Sequence, residues 1–113
     1  MTTTPPDVSH YTYRVTWSPE DQEFVATCVE FPSLSWLAPR QDRALRGVTA
    51  LVADVVADLA ANGEQVPTPL AERRYSGTFN LRLGPQLHRQ VAVSAAEEGL
   101  SMNQYVVRRL TNG

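Results

Sequence analysis

From Thr78 to Leu83 polar and apolar side chains alternate without a break, and Gly84-Pro85 then opens two stretches of helical spacing that run to the chain end. Period two puts Phe79, Leu81 and Leu83 on one face of a strand and Thr78, Asn80 and Arg82 on the other. A single short strand leaves its backbone donors and acceptors unpaired, which is costly once they are covered. Pairing the strand with its copy in a second subunit removes that cost. The resulting two-stranded ribbon is of a size that enters the major groove of B-DNA.

The residues that follow set the rest of the module. Pro85 suits the first turn of a helix, and Leu87, Val91 and Ala95 recur at helical spacing until Gly99, a residue suited to a left-handed terminus. The spacing predicts a helix from Pro85 to Glu98. Ser101 and Gln104 then stand three apart as a reciprocal capping box, ahead of a second helix with Met102, Val106 and Leu110 on its apolar stripe. A module of this size buries an adequate core only as an oligomer. Phe79, Leu81, Leu83, Leu87, Val91, Val106 and Leu110 are its expected dimer core.

The order strand, helix, turn, helix resembles the ribbon-helix-helix DNA-binding domain of small dimeric repressors. The resemblance rests on Phe79-Asn80-Leu81-Arg82-Leu83 and on Glu98-Gly99-Leu100-Ser101-Met102-Asn103. It implies that Thr78, Asn80 and Arg82 read bases. The residue types suit that task, since Arg bonds guanine O6 and N7 and Asn bonds adenine N6 and N7. It also implies a phosphate held at the second helix N-terminus by Ser101, Met102 and Asn103, where orphan N–H groups and the helix dipole favour an anion.

Charge divides along the same line. Residues 72–113 carry six arginines against three acids, a balance of +3, and residues 1–71 carry four against nine, a balance of −5. The two halves are therefore suited to different partners, with phosphates drawn to the second. The single cysteine, Cys28, excludes an intramolecular disulfide and falls in an apolar strand pattern, where it reads as a small buried hydrophobe. The sequence has no apolar run of signal or membrane-spanning length, and a cytoplasmic protein is expected.

In the first half, alternation predicts a hairpin from His10–Trp17 and Glu23–Glu30 around Ser18-Pro19-Glu20-Asp21. An extended piece over Ser33–Leu37 follows, then a helix from near Pro39 to Asn62-Gly63 with Leu45, Val48, Leu51, Val52, Val55 and Leu59 on one face. Gly47 interrupts this helix without breaking it. Asp54, Asp58, Glu23 and Glu30 are the carboxylates that a two-metal nuclease site would draw on, but nothing in their spacing gathers them. His10 and His88 lack metal-ligand neighbours at a recognisable spacing. No enzymatic activity, metal or cofactor is expected.

Tyr13-Arg14-Val15-Thr16-Trp17-Ser18-Pro19-Glu20, Phe24-Val25-Ala26, Phe31-Pro32-Ser33-Leu34, a helix carrying Arg43-Ala44-Leu45 and a closing Val66-Pro67-Thr68-Pro69 resemble the HicB antitoxins. The chain departs from that family over Trp36–Asp42, where a Gly-Thr pair and a Glu-Glu-Ala-Leu-like segment are usual. The resemblance implies an α+β protein. A partial RNase H-like domain (β-β-β-α-β) would span residues 1–70 and a linker 71–76. A ribbon-helix-helix domain over 77–113 would dimerise through its strand, giving a homodimer or higher even oligomer. It further implies an antitoxin that neutralises a HicA-like mRNA-cleaving toxin and represses its own operon on double-stranded operator DNA. The alternative is a stand-alone repressor whose first domain oligomerises or senses a ligand.

Overall fold

The computed structural model describes residues 4–112, in two compact units that part between Tyr75 and Ser76. In the first unit β1 (Tyr13–Ser18), β2 (Glu23–Cys28) and β3 (Phe31–Ala38) form an antiparallel sheet in that order, followed by α1 (Gln41–Ala61). The second unit contains α2 (Pro85–Glu97) and α3 (Met102–Asn112). The class is α+β.

Alternation along the strands and four-residue spacing along the helix together place the core. Ala44, Val48, Val52 and Val56 recur on one face of α1 and are all buried against the sheet. Around Ala44 and Val48 the sheet offers Ala26 and Ala38, small residues that let the helix approach closely. Around Val52 and Val56 the space is wider and is filled by Tyr11, Cys28 and Phe31, with the two rings edge to face at 5.2 Å. Cys28 is fully enclosed, and burial pushes its thiol above the ordinary range, which keeps it protonated and unreactive.

Gly47 has a packing role that periodicity does not reveal. Trp36 stands opposite Ala26 in the β2–β3 register, on the face turned to α1, and its indole lies on the helix at Gly47. A Cβ at Gly47 would fall 2.1 Å from Trp36 Cδ1 and Nε1. The glycine therefore sacrifices helix propensity for a flat seat under the ring.

Three elements differ from the sequence reading. The first strand begins at Tyr13 rather than His10, because Val8–His10 closes a 3₁₀ turn capped by Asp7, whose carboxylate accepts from Ser9 N. The third strand is longer than expected and carries a register shift: Thr27 pairs with Ser35 but Cys28 with Phe31, so residues 32–34 bulge. The closing fourth strand of the β-β-β-α-β order is absent among the described residues. Residues 66–69 do not pair with the sheet, since Pro67 and Pro69 remove the donors from one side of any ladder. A 3₁₀ turn follows at Leu70–Glu72.

That closing segment is held by side chains instead of a ladder. The Tyr11 hydroxyl donates to Pro67 O at 2.6 Å, and Glu30 accepts from Leu70 N at 2.9 Å, Thr12 N at 2.9 Å and Thr12 Oγ1 at 3.1 Å. His10 Nδ1 bonds Glu72. Partial burial pushes the Glu30 carboxyl upward, but the Leu70 and Thr12 donors together outweigh it and hold the group below its ordinary 4.5. His10 is raised above 6.5, chiefly by its hydrogen bond to Glu72.

These observations yield two expectations. Gly47→Ala should destabilise the first unit by about 1–3 kcal/mol through overpacking against Trp36, although alanine alone favours a helix by about 1 kcal/mol. Urea denaturation followed by tryptophan fluorescence reads the sign directly. Glu30→Gln should cost about 1–3 kcal/mol near neutrality. Because Glu30 is lowered in the folded state, its contribution is complete above pH 4.5 and disappears as pH falls through the folded value. The acid limb of stability against pH should accordingly flatten in the variant. The His10 contribution has the opposite sign, present below pH 6.5 and lost as pH rises through its raised value, so it persists unchanged in Glu30→Gln.

Candidate nucleic-acid interface

Local sequence signals build the second unit. Gly84 precedes α2 at φ +80°, a conformation that favours glycine, and Pro85 occupies the first helical position. The helix closes at Gly99, φ +69°, with Leu100 N donating to Ala95 O at 2.9 Å and Gly99 N to Ala96 O at 3.1 Å. This pair of bonds is a Schellman motif, accompanied by the half-buried Leu100 beside the buried Ala95. The predicted capping box is formed in full: Gln104 N donates to Ser101 Oγ at 3.0 Å, and Ser101 N donates to Gln104 Oε1 at 2.9 Å.

The box refines the anion site expected at this helix start. The amide of Ser101 is engaged by Gln104, and Tyr105 N donates to Ser101 O. Among the described residues no acceptor engages the amides of Met102 and Asn103, which are the open donors there.

Residues 78–83 form no strand in the single chain, contrary to the alternation taken alone. A lone strand has nothing to pair with, and its nearest supports are local: Thr78 N donates to Ser76 Oγ at 3.1 Å, and Ser76 Oγ donates to Thr78 O at 3.1 Å. Thr78, Asn80 and Arg82 are all exposed. So are most of the residues assigned to the dimer core. Phe79 is 77% exposed, Leu81 57% and Leu110 73%, with Leu87 also exposed. Leu83, Val91 and Val106 are half-buried, and Ala95 is the one buried hydrophobic of the unit among the described residues.

Val93 and Val107, which the periodicity did not single out, and Met102, expected on the apolar stripe of the second helix, add to the uncovered apolar surface. Val107 lines an open groove of about 560 Å³ along α3 with Leu100, Asn103, Gln104 and Thr111. A second groove of about 520 Å³ lies at the start of α2, between Leu83, Pro85 and Leu87. Burying one large aliphatic or aromatic side chain is worth about 1.5–3 kcal/mol, so leaving this many in water forfeits more than a unit of this size can spare.

Among the described residues no cluster of three or more His, Cys, Asp or Glu side chains is placed to hold a metal ion. The Glu30 oxygens are engaged by Thr12 and Leu70. Among the described residues no helix is long and apolar enough to cross a membrane.

In comparison with known proteins, the model of the HicB family matches residues 61–110, a span that takes in α2 and nearly all of α3. No curated protein and no solved structure matches the chain.

Because the capping box satisfies two backbone donors at the start of α3, Ser101→Ala should cost about 1 kcal/mol of second-unit stability. The loss is read as reduced helicity on urea titration, and Gln104→Ala, which removes the separate bond accepted from Ser101 N, should add a loss of its own in the double variant.

Proposed function

We propose that the chain is a HicB-type antitoxin. In this reading the second unit dimerises through residues 78–83 and binds operator DNA, and the first unit occupies a HicA-like, RNA-cleaving toxin. The observation that carries it is the coincidence of two facts about one segment. The HicB family model falls on residues 61–110, and that same stretch, with the run just before α2, exposes the apolar surface of half a core.

A second copy supports a complete solution. Pairing residues 78–83 with their symmetry mate supplies the missing backbone partners, turns Phe79, Leu81 and Leu83 inward and leaves Thr78, Asn80 and Arg82 outward on a two-stranded ribbon. The ribbon-helix-helix arrangement then follows, with the ribbon in the major groove and a phosphate on the Met102 and Asn103 amides. The operator should be an inverted repeat, since a two-fold protein reads two-fold DNA.

The acidic balance of residues 1–71 suits a basic partner such as an RNA-cleaving toxin. Inhibition is stoichiometric occlusion and calls for no chemistry from this chain. The test is affinity purification of the tagged chain from its host. Recovery of a small basic protein at comparable stoichiometry, whose ribonuclease activity falls on adding the chain, is the expected result. Recovery of DNA and self-association alone would replace the antitoxin reading with that of a stand-alone repressor.

For the DNA-reading face, Arg82→Ala or Asn80→Ala should each weaken operator binding by about 1–3 kcal/mol and relax preference at one position per half-site, with dimerisation intact. Fluorescence anisotropy on operator variants measures both. Leu81→Asp should instead abolish the dimer, because its charge would be buried in the shared core.

A further inference from the structure

The sheet of the first unit has two free edges, and they are not alike. On β3 the edge is guarded: Pro32 and the bulge over residues 32–34 interrupt it. On β1 it is not. Tyr13–Ser18 pairs with β2 in unbroken register, contains no proline or bulge and carries a single charge, Arg14.

The hydrogen-bond parity of that edge follows from one contact. Val29 N donates to Thr12 O at 2.9 Å, which makes Thr12 and Val29 a hydrogen-bonded pair in the same register as Tyr13 with Cys28. Antiparallel ladders alternate, so Arg14, Thr16 and Ser18 bond to β2 and the amides and carbonyls of Tyr13, Val15 and Trp17 point away from it. Among the described residues, none of these outward groups bonds to any group beyond the sheet.

We infer that this edge pairs with β1 of a second copy, antiparallel, with Val15 opposite Val15 of the other copy. The register is chosen by the sequence. Centred on Val15, Tyr13 meets Trp17 of the other copy on the helix-bearing face, Arg14 meets Thr16 on the open face, and the three outward pairs exchange about six hydrogen bonds. Shifting the centre to Arg14 sets two like charges opposite each other and leaves Trp17 unpaired. Shifting it to Thr16 discards Tyr13. The product is a continuous six-stranded sheet with both copies of α1 on one face, and the exposed Trp17 gains cover. The inference leans on the proposed second-unit dimer only for concentration, since tethering raises the effective level of the partner strand to the millimolar range.

Cysteine scanning in the full chain, in a Cys28→Ser background and with no other protein present, tests the register. Mild oxidation should cross-link Val15→Cys between copies in high yield and Thr16→Cys at least tenfold less. The outward amides of Tyr13, Val15 and Trp17 should exchange with deuterium as slowly as those of Arg14 and Thr16. Equal cross-linking at both positions, or free exchange of the three outward amides, would overturn the inference, including the case in which the edge awaits a strand from a different protein. Sedimentation of the same samples separates the two readings. A dimer without Val15→Cys cross-linking removes the edge pairing alone, and a monomer removes both the edge pairing and the second-unit dimer.

Discussion

The uncovered apolar face of the second unit is the constraint from which the functional reading grows. Local signals there are strong: a Schellman motif closes α2 and a reciprocal capping box opens α3. They fix where the helices begin and end but bury little. Ala95 is enclosed while Phe79, Leu81, Leu87 and Leu110 are exposed, so the unit by itself buries little against the entropy of ordering it. In the proposed dimer a second copy would cover this face with backbone pairing as well as apolar area.

The first unit solves its problem differently. Its sheet is completed on one face by α1 and closed at one end by side chains, with Glu30 gathering the start of β1 and the Leu70–Glu72 turn around one carboxylate. This is a self-contained core, held by Val48, Val52, Cys28 and Phe31. A self-contained acidic unit joined to a basic one with an exposed apolar face is an organisation consistent with the two-partner reading proposed above.

Much of this was legible in the residues, and the failures share a cause. Caps and helix spans depend on neighbours within five residues, so Ser101-Gln104 and Gly99 declared themselves. The fourth strand was implied by the HicB resemblance; residues 66–69 join no ladder among the described residues, and Pro67 and Pro69 leave that segment without donors on one side. Residues 78–83 alternate as a strand should, yet a strand is a property of two segments, and among the described residues no segment pairs with this one. Gly47 and Glu30 were illegible for a related reason: one answers to Trp36 across the sheet–helix interface and the other to Leu70, forty residues along. The HicB match over residues 61–110 rests on the part of the chain whose local signals are clearest.

Native-state hydrogen exchange at a series of protein concentrations addresses the central claim that the second unit is half of a shared core. If folding there is coupled to association, protection of the α2 and α3 amides must rise with concentration while that of β2 and α1 in the first unit stays level. Protection of α2 and α3 that is strong and independent of concentration would show a unit stable alone, and would contradict the account.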